Sequence, residues 1–344
     1  MAQNSKLEMK GKQLQTAVLG LDERGQLFSE TLSKSELFQL AAVADKDTKQ
    51  AEKTGEKYKC AFYDDYRQLV IQNQFDCLVV SAGLHSCDEY VRTAMKKKIN
   101  ILKLPPLARN FEEAKSFVSL CEEENVVFCV ANLLRFSPGF MCFRDYMAKE
   151  APEQIFMISV TCTACNSSYP AWQSDWKLSG GGVVLHDSYE IIDAMLLNFP
   201  QPEQIYSSYT NQGKDRQQRL YLTEDTALMA MKFSDSLIGN LTCGKIYGPE
   251  TVSIKIFAKE KVLLVEAQRM TIYDLSGNIE QEYVYKDELI CRAERLLENF
   301  ASAILTPDKS GVYSTARENM GNMALIESAY LSARTGMPEE PGKL

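Results

Sequence analysis

The segment that follows three consecutive glycines carries an imidazole and a carboxylate at a spacing that suits proton transfer. The run EIIDAMLL favours a helix, and if this helix covers Leu185–Asp193, His186 and Glu190 are four residues apart on one face. Imidazole titrates near neutral pH, so a histidine beside a carboxylate can give a proton to a hydroxyl oxygen or accept one from it. The same spacing also suits a surface ion pair without chemistry, and the sequence leaves both interpretations open.

A second chemical group is the turn GLDERG, which follows the apolar run Leu14–Leu19. Gly20 and Gly25 match the first and third glycines of a G-x-G-x-x-G motif, and Asp22 occupies the place of the second. The middle glycine normally lets the backbone approach a pyrophosphate at a helix N-terminus. Two like charges about 4 Å apart repel by roughly 1 to 4 kcal/mol, so Asp22 should weaken phosphate binding unless Arg24 offsets its charge.

An acidic residue also ends the second apolar run. Asp45 lies 25 residues after Gly20, where a carboxylate can bind the ribose 2′-hydroxyl and disfavour a 2′-phosphate. Asp45 could equally cap the following helix, and Lys46 beside it would favour a 2′-phosphate. The sequence therefore predicts NAD or NADP, with a preference for NAD.

The elements that position these residues change character near the middle of the chain. Short apolar runs such as Phe38–Ala44 and Cys77–Val80 alternate with helical segments, which is typical of a parallel sheet covered on both faces. After about Phe136, longer strand-like segments follow one another directly. We expect an α/β protein with a Rossmann-type doubly wound domain over residues 1–135. Residues 136–344 should form an α+β domain with a mostly antiparallel open sheet, whose last helix could pack back on the first domain.

The amino-acid composition excludes several classes of protein. The formal charge of -8 lacks the basic footprint of a nucleic-acid-binding protein, and a hydrophobic fraction of 45% excludes intrinsic disorder. No apolar run reaches the roughly 20 residues of a membrane helix, so we expect a cytoplasmic protein with a small-molecule ligand. Ten cysteines are scattered along the chain. The single C-x-x-C, Cys162 and Cys165, lies in a predicted strand, so no metal site is predicted.

Motifs throughout the chain resemble one family. They are VADKD with Asp45, ILKLPPLARNFEEA from Ile101 to Ala114, NLLRFSPGF from Asn132 to Phe140, WQSDWKLSGGG from Trp172 to Gly182, and the closing YLSARTG. In this order the sequence resembles the glucose-fructose oxidoreductase, inositol dehydrogenase and rhizopine-catabolism (Gfo/Idh/MocA) family. The resemblance implies an NAD(P)-dependent oxidoreductase on sugars or cyclitols. It also implies a homo-oligomer, a dimer or tetramer, because one face of the family's open sheet commonly forms the subunit interface.

The resemblance also points to catalytic residues, several of which depart from the family pattern. Leu104 and Pro105 stand where the family has the glutamate and lysine of an E-K-P motif. Lys103 lies two residues before Pro105, so its side chain should be on the same face of the strand as position 105. His186 and Glu190 stand where the family's D-x-x-x-H segment has its acid and base, and Asp193 is retained. We therefore take His186, Glu190 and Lys103 as the candidate catalytic residues.

The resemblance and the polar residues near the expected pocket also give candidate binding residues. The candidate cofactor-binding residues are Gly20, Asp22, Arg24, Gly25, Asp45, Ala82, His85 and Leu104, and the candidate substrate-binding residues are Arg135, Trp172, Lys177 and Asp193. Aromatic rings and a few charged groups suit a polyhydroxylated ligand. The alternative is structural, with Arg135 paired to a carboxylate and the tryptophans packed in the core.

Two function classes remain open. The first is an oxidoreductase of this family with non-standard catalytic residues. The second is a catalytically silent homologue that acts as a ligand-binding or interaction protein, since several family positions differ together.

Overall fold

The computed structural model describes residues 13–164, 170–245, 248–307 and 313–344. The chain forms two compact units. The first unit contains the chain up to Leu107 with Ala114–Ala131 and Leu289–Arg317, and the second contains Ala108–Glu113, Asn132–Glu288 and Glu318–Leu344. Within the described residues, no helix is long and apolar enough to cross a membrane.

The secondary structure within the described residues comprises fourteen strands, eleven α-helices and three short 3-10 helices (Leu133–Phe136, Ala171–Ser174 and Pro341–Lys343). The strands are β1 (Leu14–Leu19), β2 (Phe38–Ala44), β3 (Ala61–Tyr63), β4 (Cys77–Val80), β5 (Asn100–Lys103), β6 (Phe128–Val130), β7 (Ile155–Thr163), β8 (Gln204–Thr210), β9 (Thr226–Lys232), β10 (Ile238–Gly244), β11 (Thr251–Ala258), β12 (Lys261–Glu266), β13 (Arg269–Asp274) and β14 (Ile279–Val284). The helices are α1 (Glu23–Lys34), α2 (Thr48–Tyr58), α3 (Tyr66–Gln72), α4 (Leu84–Lys96), α5 (Phe111–Glu123), α6 (Pro138–Glu150), α7 (Trp176–Ser179), α8 (Tyr189–Asn198), α9 (Arg216–Tyr221), α10 (Leu289–Leu305) and α11 (Met320–Thr335).

The first unit is built on a six-stranded sheet in the order β3-β2-β1-β4-β5-β6, and every pairing is parallel. All four residues of β4, CLVV, are buried, as expected for a strand covered on both faces. The strand order reverses between β1 and β4, and in such sheets ligands bind beside the carboxyl ends of the strands at this point. The predicted Rossmann-type sheet is confirmed.

Aspartates begin the first three helices of this unit. The side chains of Asp22, Asp47 and Asp65 each accept a hydrogen bond from a backbone N–H in the first turn of α1, α2 and α3. Such caps satisfy donors that have no partner within the helix. Helix α10 also belongs to this unit, where Phe300 stacks on Phe38 of β2 with ring centroids 6.4 Å apart.

The second unit contains an eight-stranded sheet in the order β14-β13-β12-β11-β7-β10-β9-β8. The pair β7–β10 is parallel and all other neighbours are antiparallel, which confirms the predicted mostly antiparallel sheet. Alternation along the strands buries one face, including Val160 and Leu241. The other face exposes large apolar side chains, namely Tyr206, Leu228 and Ile238, at 49%, 55% and 54%.

Some sequence-based expectations about local structure were wrong. The segment Leu185–Ser188 forms a turn, and α8 begins only at Tyr189, so His186 is not on a helix. The last helix, α11, begins at Met320, and before it Ser314 has a positive φ of 97° and Thr315 forms an isolated bridge with Cys129. Cys165 of the C-x-x-C lies outside the described residues.

Candidate functional site

The turn after β1 has the backbone shape of a phosphate-binding loop. Gly20 has a φ of +91°, and a Cβ on it would lie 2.4 Å from the backbone nitrogen of Ala82. A Cβ on Gly25 would lie 2.1 Å from the carbonyl oxygen of Gly20. Both glycines are therefore required by close backbone packing, which matches their predicted role in a dinucleotide-binding turn.

Asp22 places a carboxylate at the N-terminus of α1. Its Oδ1 accepts a hydrogen bond from the backbone N–H of Gly25 at 2.8 Å and a short one from the hydroxyl of Ser81. A helix N-terminus carries partial positive charge, and in dinucleotide-binding folds this charge faces the pyrophosphate. The carboxylate of Asp22 thus uses part of the hydrogen-bonding capacity that a phosphate would use.

Asp45 lies at the end of β2 and is tied to the same turn. Its Oδ2 accepts from the backbone N–H of Leu21 at 2.7 Å, and its Oδ1 accepts from that of Asp47 at 2.8 Å. The cap of α2 is Asp47, whose side chain accepts from Lys49 and Gln50. A carboxylate has about four acceptor positions, so Asp45 keeps capacity for ribose hydroxyls. The structure thus gives the cap of α2 to Asp47, and ribose binding by Asp45 stays a prediction.

The other residues assigned to the cofactor lie at the ends of neighbouring strands or beside them. Ala82 follows β4, His85 is exposed in the first turn of α4, and Leu104 follows β5. Arg24 is in the first turn of α1. The first unit therefore brings all eight predicted cofactor residues to the carboxyl ends of β1, β2, β4 and β5 or to the helices that follow them.

A dinucleotide fits this edge of the sheet in most respects. The close-packed Gly20 and Gly25, the N-terminus of α1 and the position of Asp45 all suit it. Asp22 is the feature that opposes a phosphate. We conclude that the residues present fit the cofactor, with an electrostatic penalty that comes from a single side chain.

Lys103 is buried and points to backbone carbonyl groups. Its side chain is 2% exposed, and Nζ donates to the carbonyl oxygen of Pro106 at 2.8 Å and to that of Leu104 at 3.4 Å. These carbonyls belong to the segment that stands in the place of the E-K-P motif. Lys103 therefore holds the backbone of this segment.

In the second unit, a buried carboxylate organises the triple-glycine turn. Both oxygens of Glu224 accept from the N–H of Gly182 at 2.9 Å, and Oε1 also accepts from Val184 and from the hydroxyl of Tyr330. Glu224 is completely buried, and burial raises its pKa to about 7 although the hydrogen bonds lower it. A Cβ on Gly182 would lie 2.0 Å from the carbonyl oxygen of Glu224, so the turn and the carboxylate fit closely.

This turn positions His186. Its backbone N–H donates to the carbonyl oxygen of Gly182 at 2.9 Å, which fixes the residue relative to the glycines. The ring Nε2 lies 3.2 Å from the carbonyl oxygen of Ser179, and the ring packs edge-on against Trp172 with centroids 5.6 Å apart. Two contacts therefore hold the imidazole in one orientation.

The remaining candidates of this unit have other partners. Glu190, in the first turn of α8, accepts from the backbone N–H of Leu134 at 2.8 Å. Arg135 and Asp193 pair with each other and are buried. Lys177 is exposed in the short helix α7. The structure thus brings His186 and Trp172 together and joins Arg135 to Asp193.

Sequence reasoning missed Glu224 and Tyr330. Glu224 lies in the polar stretch Leu222–Asp225, where an acidic residue would ordinarily be exposed, and no local pattern marks it as buried. Tyr330 falls on the buried face of α11 and would be assigned to the core. The turn that both residues fix was recognised only through its glycines.

A doubly wound parallel sheet with a glycine turn, followed by an open, mostly antiparallel sheet, defines a class of two-domain NAD-binding oxidoreductases. Residues 14–132 match the family GFO_IDH_MocA, described as "Oxidoreductase family, NAD-binding Rossmann fold". Residues 153–340 match GFO_IDH_MocA_C, described as "Oxidoreductase family, C-terminal alpha/beta domain". The chain belongs to this NAD-binding oxidoreductase family.

Individual relatives are distant. An uncharacterized oxidoreductase from Streptococcus pneumoniae is 22% identical over 238 residues, which span 67% of this chain and 62% of that protein, less than two thirds of its length. The scyllo-inositol 2-dehydrogenase (NADP(+)) IolU from Bacillus subtilis is 24% identical over 262 residues, 70% of this chain and 78% of that protein. A levoglucosan dehydrogenase in complex with NADH and levoglucosan has a TM-score of 0.85 at 14% identity, covers 96% of this chain and 99% of that one, and supports the fold.

Proposed function

We propose that this protein is an NAD(P)-dependent oxidoreductase that acts on a hydroxyl or carbonyl group of a sugar-like or cyclitol substrate, with His186 as the proton-transfer group. The bound nicotinamide would accept or supply the hydride. The observation that carries the proposal is the hydrogen bond between Nε2 of His186 and the carbonyl oxygen of Ser179.

This hydrogen bond assigns the proton in the neutral imidazole. A carbonyl oxygen only accepts, so Nε2 must donate and carry the hydrogen. Nδ1 is then the basic nitrogen, the atom that takes a proton from a substrate hydroxyl or returns it to a carbonyl. The Trp172 ring and the Gly182 carbonyl hold this orientation, which pre-organises the base.

The contacts of the other two candidate catalytic residues suit positioning roles. Glu190 binds the backbone of Leu134, and Lys103 binds the carbonyls of Leu104 and Pro106. We propose that each orients a segment of its own unit and that neither carries the transferred proton. Of the residues assigned to the substrate, Trp172 and Lys177 keep that role in the proposal, while Arg135 and Asp193 stabilise the second unit.

The substrate class is supported by what similar proteins bind. The Bacillus subtilis relative is named for scyllo-inositol, and the levoglucosan dehydrogenase structure contains levoglucosan. Both are polyhydroxylated rings. Aromatic side chains with a few convergent polar groups suit such ligands, and Trp172 beside His186 provides that combination here.

We also propose a homo-oligomer, a dimer or tetramer, in the cytoplasm. The outward face of the eight-stranded sheet exposes Tyr206, Leu228 and Ile238, and a second copy of the chain would cover these apolar side chains. Light scattering should show the oligomer, and Leu228→Glu should dissociate it. The nine described cysteines are free thiols, which supports a reducing compartment.

A silent homologue is the second candidate, and Asp22 favours it. Its carboxylate occupies hydrogen-bonding capacity at the N-terminus of α1 and repels a phosphate. If the penalty exceeds what the rest of the site supplies, the dinucleotide does not bind and the chain acts through another ligand.

Two measurements test the proposed function. Calorimetric titration of the nucleotide-free protein with NADH and NADPH should show micromolar binding and identify the cofactor. A panel of cyclitols and sugars should then give nicotinamide reduction that His186→Ala slows at least about a hundredfold while the NADH affinity is unchanged. Lys214→Gln, an exposed residue elsewhere in the second unit, is the control. Absence of dinucleotide binding, or equal rates for His186→Ala and the native protein, would contradict the proposal.

A further inference from the structure

A cavity in the second unit combines cations with aromatic rings. It has a volume of about 310 Å³, and its walls include Arg109, Lys177, Arg334, Glu327, Trp176 and Tyr330. A volume of this size suits a single small molecule. Neither His186 nor Trp172 is among the lining residues of this cavity.

The aromatic side of the cavity is rigid. The ring of Trp176 packs edge-on against Tyr330 with centroids 4.9 Å apart and stacks on Tyr209 at 6.2 Å. The hydroxyl of Tyr330 donates to the buried Glu224 at 2.9 Å. A fixed aromatic face next to open volume can bind the apolar C–H face of a sugar ring without a cost for ordering side chains.

The charged side of the cavity has an excess of positive charge. Arg109 pairs with Glu113 at 3.1 Å, and Arg334 lies 3.9 Å from Glu327, which is a loose contact. The lining residues carry three cations, Arg109, Lys177 and Arg334, and one carboxylate, Glu327, so positive charge is in excess among them. Guanidinium groups are well suited to bind carboxylate or phosphate oxygens.

We propose that this cavity binds the anionic group of an acidic sugar, a phosphate or a carboxylate, while Trp176 contacts the sugar ring. Lys177 and Arg334 are the groups that recognise the anion. The inference goes beyond the proposed function and rests on it only for the sugar-like character of the ligand. It assigns a negative charge to the ligand of this cavity and names Lys177, Arg334 and Trp176 as the residues that bind it.

Binding is measured on the full chain without nicotinamide, so that failure of catalysis and failure of this inference remain distinguishable. The probes are glucuronate, glucose 6-phosphate, inorganic phosphate and neutral glucose, each titrated by calorimetry. At least one of the two acidic sugars should bind about tenfold or more tightly than glucose and than phosphate, and comparison of the two identifies the preferred anionic group. About 1 M salt should weaken this binding, because the Debye length falls to about 3 Å.

Variants test the assigned residues. Lys177→Gln and Arg334→Gln should each weaken the acidic sugar about tenfold, and Trp176→Ala should weaken it without lowering the preference for the anion over glucose. Lys214→Gln removes another exposed cation that does not line the cavity, and this variant should bind as the native protein does. Unchanged melting temperatures of the two glutamine variants show that the fold is intact.

Several results would overturn the inference. They are equal affinity for glucose and the acidic sugars, no binding of either acidic sugar at millimolar concentration, and native affinity in both glutamine variants. If inorganic phosphate binds as tightly as glucose 6-phosphate, the sugar ring adds no affinity, and the assigned contact between Trp176 and the ring is rejected. If the protein binds an acidic sugar but shows no dehydrogenase activity, the anion-binding role of the cavity is supported and only the proposed function is rejected.

Discussion

Arg135 and Asp193 form a two-pronged ion pair inside the second unit. Nε of the arginine lies 2.5 Å from Oδ2 of the aspartate, and Nη2 lies 2.7 Å from Oδ1. The side chains are 4% and 1% exposed. Asn322 donates to the same Oδ1 at 2.9 Å, and Glu318 accepts from Nη1 of the arginine at 3.1 Å. The pair therefore joins the turn after β6 to α8 and to residues of α11 and the segment before it.

Removing one partner of this pair should destabilise the protein strongly. Asp193→Asn leaves the guanidinium of Arg135 buried without its counter-charge, and we expect a loss of about 3 to 5 kcal/mol in the free energy of unfolding. Urea unfolding measures it. Glu318→Gln alters the outer, half-exposed partner and should cost less than about 1 kcal/mol. A stable Asp193→Asn protein with a raised KM would instead support substrate binding by Asp193.

Much of the fold could be predicted because its periodicity is local. Runs such as CLVV and FQLAAVA are continuous apolar strands, and β2 and β4 have the predicted bounds. The helix α6 was not predicted, and neither was β14, whose residues are all exposed and therefore show no apolar alternation. Arg135 and Asp193 are 58 positions apart in the sequence, so no local pattern predicts that they form an ion pair.

Asp22 controls cofactor affinity in our interpretation. Asp22→Gly removes the carboxylate from the N-terminus of α1 and restores the middle glycine of the turn. We expect NADH to bind about tenfold or more tightly, within the range that removal of 1 to 4 kcal/mol of repulsion allows. Loss of the cap should cost a few tenths of a kcal/mol in stability, since glycine is a tolerated cap residue. Calorimetry and thermal unfolding measure the two effects.

Asp65 provides the matched control for this variant. It caps α3 through a hydrogen bond from the N–H of Arg67 at 2.8 Å, so Asp65→Gly removes the same kind of cap from another helix of the first unit. Its stability loss should resemble that of Asp22→Gly, while NADH affinity should stay at the native value. Equal NADH affinities in all three proteins would show that Asp22 does not oppose the phosphate.

The candidate site was predictable in the first unit and less so in the second. Gly20, Gly25 and Asp45 belong to one strand-turn-helix pattern, so their spacing carries the information. His186 was assigned to a helix because EIIDAMLL continues a helical pattern, but α8 starts at Tyr189 and the preceding turn is fixed by Glu224, a residue 38 positions after His186. Interactions between distant residues decide that geometry.

The triple-glycine turn should not tolerate a side chain at its third position. Gly182→Ala would place a Cβ 2.0 Å from the carbonyl oxygen of Glu224, a backbone atom that cannot move away cheaply. We expect a loss of at least about 2 kcal/mol in unfolding free energy, as for other overpacked cores. Gly342→Ala, where no atom lies within 4 Å of the added Cβ, is the control and should change stability by less than about 0.5 kcal/mol. Similar stability of the two variants would mean that the turn is loosely packed.

Glu224 should make the stability of the protein depend on pH near neutrality. Burial raises its pKa from 4.5 to about 7, so the folded state holds this proton more tightly than the unfolded state does. A raised pKa contributes stability that is complete below the unfolded value and is lost as the pH rises through the folded value. The unfolding free energy should therefore fall by about 1 to 2 kcal/mol between about pH 6 and about pH 8.

The variant Glu224→Gln tests this assignment. It keeps an oxygen acceptor for Val184 and Tyr330 but has no proton to lose, so the decline in unfolding free energy should disappear. The control Glu260→Gln alters an exposed carboxylate and should retain the decline. Urea unfolding across this pH range tests the prediction, and the same slope in the native protein and in Glu224→Gln would refute it.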